Sequence, residues 1–430
     1  MRIVADLHIH SPYSRAVSKE MTLENLDYWA RLKGITVMGT GDFTHPAWIK
    51  EIKTKLEPAE QGLYKLKSEI RSTKSETNSK FQIQNSETRF MLTVEISSIY
   101  SKGGKTRRIH NLIFAPSIEA AEKINAALGW QGNLKSDGRP ILGLDAKQLA
   151  KVVLDADPKA MIVPAHCYTP WFSVFGSMSG FDSLEECFDE YTKYIYAVES
   201  GLSSDPAMSW RNSKLDKIAI ISNSDSHSLQ RIGREANVFD TELSYDGIVE
   251  AIKSHDPRKF LFTIEFYPEE GKYHYDGHRL CGFSCGPEDT KKLNKLCPKC
   301  GKPMTVGVEY RVQELADRPP GYRPESAIPY KSLVPLDEII AESLGVGTAS
   351  KKVKEEYKNL VGKIGSEFAV LVDASRADLE RAAIPQVAEG IMRVREGRVQ
   401  IEPGYDGEYG KVKIFIEGER QAATLQASLF

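Results

Sequence analysis

Through the first 265 residues the apolar positions fall in short runs that break, again and again, on a carboxylate or an imidazole. Met1-Arg2-Ile3-Val4-Ala5 predicts a strand, and Asp6-Leu7-His8-Ile9-His10 follows it. Alternation places Asp6, His8 and His10 on one side of an extended backbone. A helix is expected from Thr22 to Lys33, capped by Thr22, apolar at Leu23, Leu26 and Ala30, and stopped by Gly34. Ile35 to Gly39 then empties into a segment holding Asp42 and His45. Phe90 to Val94 is followed by Glu95, Ala160 to Ala165 by His166, Ile195 to Val198 by Glu199, and Ile218 to Ser222 by Asp225 and His227. Ile109 to Phe114 is also strand-like, with His110 at its start. Helices are expected at 117–128 and 145–154. Six runs therefore deliver Asp, Glu or His at their C-terminal ends, with helices between most of them. That order predicts parallel strands alternating with helices, an α/β barrel with its chemistry at the C-terminal rim.

Two stretches interrupt the pattern. Residues 53–88 are rich in Lys, Glu, Ser, Asn and Gln and read as a solvated, partly helical insertion. Ser101 to Arg108 is a glycine turn carrying Lys102, Lys105, Arg107 and Arg108, either a solvated hairpin tip or a contact for a phosphate chain. Composition narrows the rest. The formal charge of -2 on 430 residues selects no particular partner. No apolar run approaches a membrane span and the first residues carry no signal-peptide pattern, so a cytoplasmic protein with no membrane partner is expected.

Six cysteines in such a compartment point to metal where they cluster. Cys281-x-x-x-Cys285 and Cys297-x-x-Cys300 predict a structural zinc held by four thiolates, with His274 and His278 as substitutes. Cys167 and Cys187 read as core residues. The lysines around the cluster suit either a nucleic-acid backbone or a plain structural staple. Helical periodicity runs on to about Glu396, including Leu336 to Leu344 and Val353 to Val361, with a Leu344-Gly345-Val346-Gly347 break like that of a helix hairpin. Gln426 to Phe430 looks like half of a sliding-clamp binding peptide, or is a frayed end.

Imidazoles and carboxylates gathered at one rim suit zinc or manganese better than magnesium. Two such ions roughly 3.5–4 Å apart clamp a phosphate and lower the pKa of bound water. These motifs resemble those of the polymerase-and-histidinol-phosphatase (PHP) superfamily of metal-dependent phosphoesterases. Asp6-x-His8-x-His10 is similar to its first motif, the Asp42 region to its second, His166 to its third and Asp225-x-His227 to its fourth. Glu95 resembles its metal-bridging carboxylate and His110 a further ligand. Two departures stand out: Phe43 follows Asp42 where a His is usual, so Asp42 or His45 would fill that role, and no third-metal ligand is evident in Ser11 to Arg15.

The order of barrel, zinc module, Arg311-x-x-x-Leu315-Ala316-Asp317-Arg318-Pro319 and helices resembles the endonuclease Q family of DNA-repair nucleases. The resemblance implies a distorted seven-stranded TIM-like barrel over 1–266, a zinc-binding module over 267–310, a helical domain over 311–400 and a tail over 401–430. It implies two or three divalent metals (Zn, Mn or Mg) on Asp6, His8, His10, Asp42, His45, Glu95, His110, His166, Asp225 and His227, with Asp225, Glu95 and His227 catalytic, and one structural Zn. It implies incision 5′ of uracil, hypoxanthine, xanthine or an abasic site, through metal-activated water and a flipped-out nucleotide. Lys102, Lys105, Arg107, Arg108, Tyr13, Tyr168, Trp171 and Phe172 are the expected DNA contacts. The residues themselves leave open a small-molecule phosphatase or a non-catalytic, helicase-associated nucleic-acid-binding protein.

Overall fold

The structure of the protein, a computed structural model, describes residues 1–75 and 87–416, the side chains of 72–75 excepted. Strand β1 (Arg2–Asp6) carries the first apolar run into the interior, buried from Ile3 onward. Helix α1 (Leu23–Lys33) begins where the Thr22 hydroxyl accepts from the Asn25 amide and ends at Gly34, whose φ of 88° is left-handed. Strand β2 (Val37–Gly39) and helix α2 (Pro46–Lys55) lead to β3 (Leu56–Pro58), β4 (Tyr64–Leu66) and α3 (Ser68–Ser75). The polar insertion is thus structured as far as Ser75; residues 76–86 lie outside the described residues.

Strands β5 (Arg89–Lys102) and β6 (Lys105–Ala115) make a long hairpin around Gly103-Gly104. They are followed by α4 (Ile118–Gly129), β7 (Ile141–Leu142), α5 (Ala146–Ala156), β8 (Met161–Pro164), α6 (Leu184–Phe188) and β9 (Ala197–Glu199). Then come α7 (Pro206–Ser209), β10 (Ala219–Ile221), β11 (Ala236–Asp240), α8 (Tyr245–Ser254) and β12 (Phe260–Glu265). A small hairpin, β13 (Asp276–His278) and β14 (Phe283–Cys285), precedes α9 (Pro287–Lys292), α10 (Val308–Leu315) and β15 (Tyr330–Ser332). Helices α11 (Leu336–Leu344), α12 (Lys351–Ile364), α13 (Arg376–Ala382) and α14 (Pro385–Arg395) follow, and β16 (Gln400–Glu402) pairs with β17 (Lys411–Lys413).

The α/β class holds, but the expectation of an all-parallel sheet does not. Pairs β1–β2 and β2–β5 are parallel, whereas β1–β11, β11–β12, β5–β6 and β6–β8 are antiparallel. The two-residue turn between β5 and β6 is far shorter than the crossover a parallel return needs. Strand β9 pairs in parallel with β10 in a separate ladder. Inward side chains from β1, β2, β5, β6, β8, β9, β10 and β11 nonetheless meet in one buried cluster that includes Ile3, Val37, Met91, Leu112, Val163, Ala197, Ile221 and Phe239. The strands therefore surround a common interior, and a bridge between Ile9 and Ser226 joins the first polar rim segment to the last.

The chain beyond the hairpin β13–β14 packs back on this body. Strand β15 lies parallel to β12, so the region expected to be helical also contributes a strand. The buried Lys33 ammonium of α1 meets Glu367 at 2.7 Å. The Arg395 guanidinium donates to the carbonyls of Val370, Leu371 and Ala374 at 2.6, 2.7 and 2.6 Å, tying α14 to the segment before α13.

Candidate metal centre

The C-terminal ends of β1, β2, β8, β9 and β10 and the β5–β6 hairpin converge at one end of the interior. There the ligand-capable atoms of His8, His10, Glu95 and Asp225 lie within 4.8 Å of one another, as do those of Glu95, His110 and His166. Glu95 belongs to both groups, one oxygen to each. Its Oε2 is 3.6 Å from His8 Nε2 and 3.3 Å from His10 Nε2, while its Oε1 is 2.6 Å from His110 Nδ1 and 3.1 Å from His166 Nε2. Asp225 Oδ1 completes the first group at 3.5 Å from His8 Nε2 and 3.1 Å from His10 Nε2. Glu95 does not end its strand as the apolar pattern suggested; β5 runs on to Lys102, with Glu95 opposite Leu112 and Ser97 opposite His110. Because β6 runs the other way, His110, at the strand's midpoint, reaches the same rim.

The imidazoles are held from behind. His8 Nδ1 lies 3.1 Å from both oxygens of Glu199, and His10 Nδ1 lies 3.1 Å from Asp42 Oδ1. An ionised carboxylate only accepts, so each Nδ1 donates; His10 Nε2 likewise meets the Asp225 carboxylate at 3.1 Å, and with a cation bound each Nε2 would offer its lone pair instead. His8 Nε2 is buried and has no hydrogen-bond partner among the described residues. His166 Nδ1 rests on the Thr169 hydroxyl and His110 Nε2 on Ser97, each at 3.1 Å. Burial alone would lower His8 and His10, but Glu199 and Asp225 for the first, and Asp42 and Asp225 for the second, raise both well above the ordinary imidazole range. Burial would raise Glu95; His110 and Arg139 outweigh it and hold that carboxyl well below its usual value. A pocket whose carboxylates draw protons onto buried imidazoles draws a divalent cation by the same field, and the donor set fits one.

Asp42, His166 and Asp225 all hold left-handed backbone, at φ of 50°, 31° and 46°. Such strain in non-glycine residues gathers at functional sites. Gly41 makes the approach of Asp42 feasible, since a Cβ there would meet the Ile9 carbonyl oxygen at 2.3 Å.

Several residues expected as ligands stand elsewhere. Asp6 is outside both groups: it accepts from the Ser224 amide at 3.1 Å, the Ser224 hydroxyl at 2.6 Å and the Gly233 amide at 2.8 Å, and so anchors the segment that carries Asp225. Asp42 is the partner of His10 and also accepts from Ser11 and Ser14. His45 caps α2, stacks on Tyr13 at 4.5 Å and lies in neither group. His227 sits at the edge, its ring 4.7 Å from that of His10 and its Nδ1 2.8 Å from the Asp225 carbonyl oxygen. Two roles were not read from the sequence. Glu199 ends a strand as the others do, but its partner His8 is remote in sequence. Arg139 brings its Nη1 to 3.1 Å from Glu95 Oε2, and nothing in its local sequence marks it.

The cysteine cluster differs from the four-thiolate expectation in one member. The group that converges is His278, Cys281, Cys297 and Cys300, without Cys285. In the β13–β14 ladder Cys285 sits opposite Asp276, whereas His278 sits opposite Phe283 at the other end. The Cys285 thiol is therefore not among the ligand atoms that lie within 4.8 Å of one another. Cys285 Sγ instead contacts the Thr290 hydroxyl at 3.3 Å. Hydrogen bonding from Cys300, with burial and Cys297 adding, pushes the Cys281 thiol up to about 11.

Known proteins resemble this chain along its whole length. The "uncharacterized protein YqxK" of Bacillus subtilis is 30% identical over 428 residues, covering 96% of this chain and 99% of its own. The lesion-specific endonuclease PfuEndoQ of Pyrococcus furiosus superposes with a TM-score of 0.84 at 32% identity, covering 99% of this chain and 98% of that one. The chain belongs to the endonuclease Q family. That family lies within the PHP superfamily. A second endonuclease Q structure, in complex with a 27-mer duplex bearing an abasic lesion at the active site, superposes with a TM-score of 0.82 at 33% identity over 97% of this chain and 98% of that one. A family model described as the MJ0043 C-terminal domain matches residues 335–398. MJ0043 itself, from Methanocaldococcus jannaschii, is 35% identical over 274 residues, 60% of this chain but only 33% of its own length.

Within the endonuclease Q frame the expected DNA contacts divide. Tyr168 is buried against Phe175, ring centroids 5.2 Å apart, and cannot reach a nucleotide. Tyr13 gives its hydroxyl to Glu51 at 2.7 Å, and Trp171 meets Tyr273 edge-on at 5.5 Å. Lys102 is bound to Asp189 at 3.2 Å, and Arg107 lies 4.0 Å over the Phe181 ring. Lys105 is exposed at the hairpin tip. Arg108 lies over Phe172, whose ring is 4.7 Å from His110, which places this pair beside the second ligand group. The expected clamp peptide, 426–430, lies outside the described residues. Among the described residues no helix is long and apolar enough to cross a membrane.

Proposed function

We propose that this protein is a metal-dependent endonuclease that hydrolyses the phosphodiester 5′ of a damaged nucleotide in DNA. An abasic site, uracil, hypoxanthine or xanthine would be the lesion. The observation that carries the reading is the pair of ligand groups sharing Glu95, in a chain that superposes end to end on an endonuclease Q holding an abasic duplex. We read the enclosing strands as the distorted seven-stranded barrel of the superfamily.

Divalent cations, when bound, supply Lewis acidity toward a phosphate oxygen and lower the pKa of water. His8, His10, Glu95 and Asp225 would hold one, and Glu95, His110 and His166 another; zinc or manganese suits these donors. Glu199 and Asp42 fix the tautomers of His8 and His10, so both Nε2 lone pairs stay aimed inward. Arg139 places a guanidinium beside Glu95, within reach of a phosphate entering the pocket. His227 donates from Nδ1 to the Asp225 carbonyl, which leaves Nε2 to take and return a proton at the half-exposed edge. The purified protein, incubated with duplexes carrying each lesion and Mn²⁺, Mg²⁺ or Zn²⁺, should nick 5′ of the lesion and leave a 3′-hydroxyl and a 5′-phosphate. Failure to nick any of them with metal bound would refute the reading.

A further inference from the structure

Beside the metal rim a cavity of about 640 Å³ opens between α1, the segment after His227 and α12. Small-ligand pockets occupy roughly 300–1,000 Å³. One wall is Ser228, Gln230 and Arg231, continuing directly from His227, so the cavity begins where the metal rim ends. Across from it stand Tyr28 and Trp29 of α1 and Tyr357 of α12. The hydroxyl of Tyr357 donates to Glu367 at 2.6 Å, and the same carboxylate takes the Lys33 ammonium. This floor is satisfied and fixed, leaving aromatic faces to line the space. At the margin Lys354 and Lys358 are exposed, and neither forms an ion pair among the described residues. Of the four cationic side chains in the lining, Lys33 and Arg231 are paired with Glu367 and Glu338, which leaves Lys354 and Lys358 as the charges open to a ligand, with Asp337 the one carboxylate of the lining.

Flat rings flanked by cations suit a nucleotide: every base stacks, and lysines meet the phosphate. We propose that this cavity binds one unpaired nucleotide of the DNA strand held at the metal centre, its base on Trp29 or Tyr28 and its phosphate beside Lys354 and Lys358. The inference rests on the endonuclease reading of the metal centre. It adds a second nucleotide site, on the α12 side of the rim, distinct from the metal ligands.

The test is photocrosslinking of the full-length protein to abasic duplexes carrying 5-iododeoxyuridine at successive positions around the lesion, with the adduct mapped by mass spectrometry. One flanking position should crosslink to the peptide holding Tyr28 and Trp29. Trp29→Leu should abolish that adduct and weaken duplex binding roughly ten-fold, whereas Trp29→Phe should restore both. Lys354→Ala with Lys358→Ala should lower the slope of log affinity against log salt by about one to two phosphates. Adducts confined to other peptides, with binding and salt slope unchanged in both variants, would overturn the proposal. The crosslink needs no cleavage, so its outcome stands apart from the outcome of the nicking assay.

Discussion

Replacing Cys285 and replacing His278 should have opposite consequences. The sequence motif makes Cys285 a zinc ligand; the geometry assigns that place to His278. Among the described residues the Cys285 thiol has one hydrogen bond, to the Thr290 hydroxyl at 3.3 Å. Cys285→Ser keeps a donor and acceptor there and should cost less than about 1.5 kcal/mol, the net value of an ordinary hydrogen bond. Metal content should not change. His278→Ala leaves three thiolates around the ion. Losing an outer partner of a ligand already costs roughly 10–100-fold in affinity, so loss of the ligand itself should cost more. It should also lower the melting temperature, because structural zinc contributes folding free energy. The assay is zinc stoichiometry across a chelator series, with Co²⁺ substitution to count thiolates by their charge-transfer absorption: three in the wild type and in Cys285→Ser. Loss of metal in Cys285→Ser with retention in His278→Ala would refute the assignment.

Other outcomes follow from the same geometry. Glu199→Gln and Asp42→Asn should each weaken metal binding at the rim about 10–100-fold while the protein stays folded, read by titration calorimetry. Asp6→Ala should leave the metal stoichiometry unchanged but destabilise the protein by about 3 kcal/mol or more, because three buried donors lose their acceptor; a lost metal with unchanged melting would make Asp6 a ligand after all. Burial raises the Asp6 carboxyl to about 6, so its ionised form is disfavoured in the fold; stability from this group should fall as pH rises from about 4 through 6 and be spared in Asp6→Ala. His8 and His10 carry raised pKa values without a cation, so loading should release protons and tighten as pH rises, measurable as a buffer-dependent heat.

The rim was legible because alternation and strand length put chemistry at predictable ends of apolar runs. Residues 6–10, 95, 166 and 225 could be singled out before any contact was known. Strand direction was not legible, since period-2 alternation reads the same either way; only the Gly103-Gly104 turn betrayed an antiparallel return. Roles behind the ligands were hidden for a different reason. Glu199 and Asp42 act through partners far along the chain, and Arg139 sits in a loop with no pattern. In the cysteine cluster the structure gathers His278 with Cys281, Cys297 and Cys300, and the spacing carries that signal: His278-x-x-Cys281 repeats the two-residue gap of Cys297-x-x-Cys300. Tyr168 and Trp171 are three residues apart, and only packing separates the buried ring from the half-exposed one.

The central claim is a single centre in which Glu95 joins two metal sites. Crystals soaked in Mn²⁺ and measured at the manganese absorption edge test it most directly. Two anomalous peaks should appear, both against Glu95, one beside His8, His10 and Asp225 and the other beside His110 and His166, and Glu95→Gln should abolish at least one. Peaks that do not share Glu95, or no peak at this rim in crystals that bind the metal elsewhere, would contradict it.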